Sequence, residues 1–223
     1  MAEIVMILGE SGSGKSTSLR SFAPGEVCVL NVAGKRLPFR NQFGRENVID
    51  NAGYGVIQQA IRSGKWKRYV VDDSQYLMAF DAFNRAKDTG YGKFTDMALS
   101  FYNMLMGAKN ATIWTKNPDG TYKDTRKPTD DTIVYFLHHI DRDDTGMIKP
   151  KTQGKMLDQQ LNLAGLFTTI LLADTDGKEH YFWTQNDGKS VAKSPMGMFD
   201  ELKIPNDLKL VDTAIRSYYG MEG

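Results

Sequence analysis

The chain has 223 residues, with 28 Lys plus Arg against 27 Asp plus Glu and a formal net charge of +1 at pH 7. That length supports one sizeable core and predicts a single domain over 1–223. The charge balance excludes a global positive field, so any polyanion must be met by a local patch. No stretch approaches the roughly 18 consecutive apolar residues of a membrane span, and no charged, apolar, small-residue leader opens the chain, so a cytoplasmic protein that engages no membrane is expected. The lone cysteine, Cys28, lies in an apolar run and has no internal disulfide partner, which suits a reducing compartment and a core position.

Five continuous apolar runs read as strands of a mostly parallel sheet covered on both faces: Ile4–Leu8, Val27–Val32, Tyr69–Asp72, Thr132–His138 and Leu166–Ala173. A first helix is cut short near Phe22 by Ala23-Pro24-Gly25. Further helices are predicted over Asn51–Ser63 and over Ser74–Lys87, the latter with Tyr76, Leu77, Phe80 and Phe83 as its apolar face, and over Thr95–Ala108 with Ala98, Leu99, Phe101, Tyr102 and Leu105. Asn117-Pro118-Asp119-Gly120 is a turn signal between two short extended runs and predicts a protruding hairpin near 112–127. Thr175-Asp176-Gly177-Lys178 predicts that Leu166–Ala173 and His180–Thr184 pair antiparallel at a sheet edge, and Asp207–Tyr219 reads as a closing helix after Pro205. Strands alternating with helices imply an α/β fold with right-handed crossovers.

Behind the first run stands Gly9-Glu10-Ser11-Gly12-Ser13-Gly14-Lys15-Ser16-Thr17, a complete GxxxxGKS loop between a strand and a helix. In that setting backbone N–H groups and a helix start face phosphate oxygens, Lys15 reaches the β- and γ-phosphates, and the Ser16 hydroxyl ligates Mg²⁺. The second acidic partner for the metal is read at Asp72, which ends Arg68-Tyr69-Val70-Val71-Asp72-Asp73 as a Walker B strand does. Asp73 or Glu10 would orient an attacking water. His138 and His139 end another strand where open α/β sheets bind ligands. Neighbours on a strand point to opposite faces, so zinc is disfavoured and one of the pair, His139 foremost, is read as a polar sensor of the γ-phosphate.

Gly9–Thr17, Asn31-Val32-Ala33-Gly34-Lys35, Val70–Tyr76, Phe136–His139 and Ser194–Phe199 together resemble the RecA-like ATPase core. The nearer resemblance is to small phage-encoded ATP-binding proteins of that class, some of them single-strand annealing recombinases. It implies a RecA-like P-loop fold, ATP and Mg²⁺ as cofactors, ATP hydrolysis, a homo-oligomeric ring or filament in the host cytoplasm, and single-stranded DNA held by two loops. By order along the chain these loops are 87–94, with Lys87, Tyr91, Lys93 and Phe94, and 149–155, with Lys149, Lys151 and Lys155. Lysines there would displace counterions and the aromatic rings would stack on bases. Lys193 would reach a neighbour's γ-phosphate. RecA-like recombinases carry a catalytic glutamate just after the second strand, and Val27–Gly34 has no acid, so slow turnover is expected. A small-molecule P-loop kinase and a nucleotide-gated assembly factor without DNA binding remain as alternatives.

Overall fold

The computed structural model describes residues 1–40, 43–128, 131–153 and 156–221. The first apolar run forms β1 (Glu3–Gly9), and a short 3-10 helix (Ser16–Ser21) follows the glycine-rich loop. Then come β2 (Cys28–Asn31), β3 (Val48–Asp50), α1 (Tyr54–Arg62), β4 (Arg68–Asp72), α2 (Tyr76–Asn84), α3 (Gly92–Lys109), β5 (Thr112–Lys116) and β6 (Tyr122–Pro128). The chain continues through β7 (Ile133–Arg142), β8 (Ile148–Pro150), a π-helical turn (Met156–Leu161), a 3-10 turn (Leu163–Leu166), β9 (Thr169–Thr175), β10 (His180–Trp183), β11 (Lys203–Pro205) and α4 (Leu208–Tyr219).

The main sheet runs β3-β2-β4-β7-β1-β9-β10-β11, with β8 paired to β7 off this path. From β3 to β9 the strands are parallel; β10 reverses against β9, giving the expected antiparallel edge. The fold is therefore α/β with a mostly parallel sheet flanked by helices. Alternate residues of each central strand face two different cores. Ile4, Met6, Leu8, Val71 and Phe136 join the side covered by α1, α2 and α3, whereas Val5, Ile7, Val70, Tyr135 and Leu137 join the side covered by the first 3-10 helix and α4. Because both faces are covered, the strands read as unbroken apolar runs. Among the described residues no helix is long and apolar enough to cross a membrane.

Several boundaries differ from expectation. β7 does not stop at its histidines but runs to Arg142, because β8 supplies antiparallel partners from Ile140 to Arg142. The three-residue strands β3, β8 and β11 are too short to leave a periodic signal. Leu166, expected to open a strand, instead ends a 3-10 turn (Leu163–Leu166), and β9 starts at Thr169. α2 is shorter than predicted and buries Leu77 and Met78, while Phe80 and Phe83 face solvent, as does Leu99 of α3. The hairpin forms as expected: β5 and β6 make a two-stranded sheet of their own among the described residues, and Asn117 N donates to the Thr121 carbonyl across the turn.

Helix α4 is capped by Asp207, whose carboxylate accepts from the Lys209 and Leu210 amides, and closes at Gly220 with φ +65°. It is fastened to the start of β4 and β7 by a buried charge cluster. Asp212 Oδ2 accepts from Arg68 Nε at 2.6 Å and Arg216 Nε at 2.8 Å, and Oδ1 accepts from the Tyr135 hydroxyl at 2.9 Å.

Candidate functional site

The parallel registers gather the predicted residues at one sheet edge. Gly9 lies opposite His139 and Leu8 opposite His138, while Asn31 lies opposite Asp72. Since β7 stands between β1 and β4, its histidines fall between the glycine-rich loop and the aspartate pair.

Within the loop, glycines occur where a side chain fails. A Cβ on Gly9 would strike Ser13 Oγ and approach the Ala173 carbonyl to 2.8 Å. Gly12 and Gly14 adopt φ of +83° and +91°, which residues with a Cβ avoid. Ser11 and Gly12 are exposed, Ser13 is buried with its hydroxyl unpartnered, and Thr17 is half-buried. Lys15 folds back over the loop, its ammonium donating to the Gly9 carbonyl at 2.8 Å and the Glu10 carbonyl at 2.7 Å. Burial pulls its pKa down to about 8, against the pull of Asp73 and Asp72 in the other direction. The Glu10 side chain is exposed, so this acid meets the lysine through its backbone.

Ser16 Oγ donates to Asp72 Oδ1 at 2.8 Å, joining the loop to the end of β4. Burial and the adjacent Asp73 push the Asp72 carboxyl up to about 6. A hydroxyl and a carboxylate brought together in this way form a hard oxygen pair suited to Mg²⁺, which takes few protein ligands and keeps its remaining positions for water or phosphate. Among the described residues no three His, Cys, Asp or Glu side chains cluster as a metal cage.

Asp73 turns the chain out of β4 with φ +61°, a left-handed conformation that Asp tolerates better than most residues. One carboxylate oxygen is ion-paired to Lys35, and the other faces His139 Nε2 at 3.3 Å. Burial alone would raise the pKa of this carboxyl, but the hydrogen bonds from His139 and Lys35 hold it at about 2. A carboxylate so stabilised is a weak proton acceptor.

The two histidines diverge. His138 is fully buried, with Nε2 2.7 Å from the Lys151 carbonyl and Nδ1 2.8 Å from Ser74 Oγ. A carbonyl only accepts, so Nε2 carries the proton and Nδ1 receives the serine hydroxyl. Burial lowers its pKa to about 4. His138 thus ties β7 to Lys151 and Ser74. His139 stays at the site beside Asp73, its ring edge-on to Tyr76 at 6.0 Å and its backbone amide donating to Gln75 Oε1 at 3.4 Å.

The two segments expected to hold DNA lie partly in regular elements. Lys93 and Phe94 lie in the first turn of α3, where Lys93 donates to the Arg85 and Asp88 carbonyls and sits over the Phe94 ring. Tyr91 is 89% exposed, and Lys87 is also exposed. Lys149 belongs to β8, opposite Asp141, and Lys151 N donates to the His139 carbonyl. Lys155 lies outside the described residues. Lys193 is held through its backbone to Ile170.

Three participants escaped the sequence reading. Lys35 meets Asp73, Gln75 meets β7, and the buried Asn206 carboxamide packs against Gly14 with neither polar atom partnered. Only Lys35 had a signal: a Gly-Lys pair just past a buried strand at the ligand edge. No family model matches the chain, and no curated protein matches it.

Proposed function

We propose that the chain is a RecA-like ATP-binding protein that holds Mg²⁺·ATP at Gly9–Thr17 and Asp72 and hydrolyses it slowly. The observation that carries this reading is the direct Ser16–Asp72 hydrogen bond beneath a loop whose lysine already grips two oxygen acceptors. Backbone N–H groups of the loop would receive the phosphates, Lys15 would exchange its two carbonyls for phosphate oxygens, and Ser16 with Asp72 would hold the metal. The metal, once bound, supplies charge neutralisation at the phosphates. Asp73, paired with His139, would orient the attacking water, and the low basicity of Asp73 agrees with slow turnover.

Single-stranded DNA is the polymer we assign to the surface around Tyr91, an exposed ring near Lys87 and Lys93 in sequence that can stack on a base without reading sequence. A homo-oligomer would place several such surfaces along one strand. A kinase reading is favoured by one feature, an open pocket of about 410 Å³ beside the site lined by Lys35, Arg36 and Arg40, which suits a phosphorylated acceptor.

The test is calorimetric titration of Mg²⁺·ATP, followed by hydrolysis with and without single-stranded DNA at two salt concentrations. Lys15→Ala should lower ATP affinity by roughly 100-fold or more, because a buried charge-assisted contact is lost. Retention of normal affinity would remove the loop as the site. DNA binding that weakens steeply with salt supports the recombination reading; its absence at low salt overturns that part, and phosphate transfer to a small acceptor would favour the kinase.

A further inference from the structure

The turn after β2 is built rather than loose. Asn31, buried at the strand end, donates from Nδ2 to the Lys35 carbonyl at 2.7 Å and to Asp50 Oδ1 at 2.6 Å. Gly34 adopts φ +63°, with the Asn51 carboxamide packed where a Cβ would sit. These bonds fix the backbone of residues 31–35, and the Asn31–Asp72 register sets that turn beside the end of β4. What the turn delivers is one cation. The Lys35 ammonium pairs with Asp73 and lies 5.6 Å from the centre of the Tyr76 ring, yet its side chain is 61% exposed.

This arrangement holds a charge loosely at a point prepared for it. Its field reaches both Lys15 and Asp72, so it belongs to the same electrostatic site as the phosphate loop. Asp73 keeps a second partner in His139 Nε2 at 3.3 Å, so the carboxylate can give up the lysine without being stranded. An ammonium on a four-carbon stem is a mobile point charge suited to moving between two nearby anions.

We propose that Lys35 is a contact for the terminal phosphate of a bound nucleoside triphosphate: on binding, its ammonium leaves Asp73 for the γ-phosphate oxygens. A diphosphate offers no such acceptor there, so Lys35 makes the chain distinguish triphosphate from diphosphate. The inference rests on the phosphate-loop reading above and assigns a determinant within it.

The experiment is calorimetric titration of the Mg²⁺ complexes of ADP and of the non-hydrolysable β,γ-imido analogue of ATP into the wild-type chain, Lys35→Met and Lys35→Arg. Wild type should prefer the triphosphate analogue. Lys35→Met should shrink that preference by about tenfold while leaving ADP affinity nearly unchanged, and Lys35→Arg should keep part of it. Equal weakening of both nucleotides would overturn the inference and leave Lys35 a support for Asp73. An unchanged ratio in Lys35→Met, or no preference in wild type, would overturn it as well. Wild type binding neither nucleotide would instead bring down the phosphate-loop reading itself.

Discussion

Strand β4 begins in one charge cluster and ends in another, and they are wired on different principles. At its start, Arg68, Arg216 and Tyr135 converge on Asp212: both Asp212 oxygens are occupied, and Arg216 spends further N–H groups on the carbonyls of Asp131 at 2.9 Å and Lys67 at 3.1 Å. Asp212 is 1% exposed. At its end, the cations hold partners that a ligand can replace. Lys15 rests on peptide carbonyls, Lys35 reaches in from solvent, and the Ser16 hydroxyl occupies an Asp72 oxygen that a metal could take. A closed cluster contributes to the fold, whereas an exchangeable one can do chemistry. Net charge does not separate the two; the replaceability of each partner does.

The comparison can be broken first at the closed end. Asp212→Ala removes the anion shared by the buried Arg216 and the partly buried Arg68 and should cost about 3–5 kcal/mol in urea unfolding, with nucleotide affinity of the folded fraction unchanged. A cost below about 1 kcal/mol would show that α4 is fastened elsewhere.

The next effect is a pH dependence. Folded His138 protonates near pH 4 and the unfolded residue near 6.5, so below about pH 6.5 only the unfolded state takes up the proton and stability falls, by on the order of 3 kcal/mol by pH 4. Asp72 has the opposite sign: its folded pKa near 6 exceeds the unfolded value of about 3.9, so the folded state takes up a proton first and gains stability over nearly the same window. Wild-type stability should therefore be nearly flat from pH 6.5 to 4. Asp72→Asn should uncover the fall, and a flat curve in that variant would mean that His138 is not held neutral. The smallest effect belongs to the exposed Lys209–Glu26 pair at 2.8 Å. Lys209→Ala should change stability by no more than about 0.5 kcal/mol, and a larger loss would erase the distinction between buried and exposed ion pairs.

The central strands were legible because burial on both faces leaves continuous apolar runs, as in Ile4–Leu8 and Val70–Val71. The phosphate loop was legible because glycine spacing and Lys-Ser order are local requirements. α4 was read almost to the residue, since Asp207 caps it and Gly220 ends it. What stayed hidden depends on distant partners. Arg68 meets Asp212 across 144 residues, and His138 was indistinguishable from His139 until Ser74 and Lys151 closed around it. Phe80 and Phe83 match a helical apolar period, but the packing of α2 turns them outward. Lys35 was visible as a residue in a resembling segment, though its partner lies on another strand.

The parked position of Lys15 sets a threshold for whatever enters the loop. Two peptide carbonyls already satisfy its ammonium in a nearly dry setting. An incoming anion has to present stronger acceptors than these and compensate for the bonds it displaces. Chloride or acetate gains little by the exchange, whereas a polyphosphate offers several charged oxygens at once. On the proposed reading, the loop would filter its ligands by competition with its own backbone.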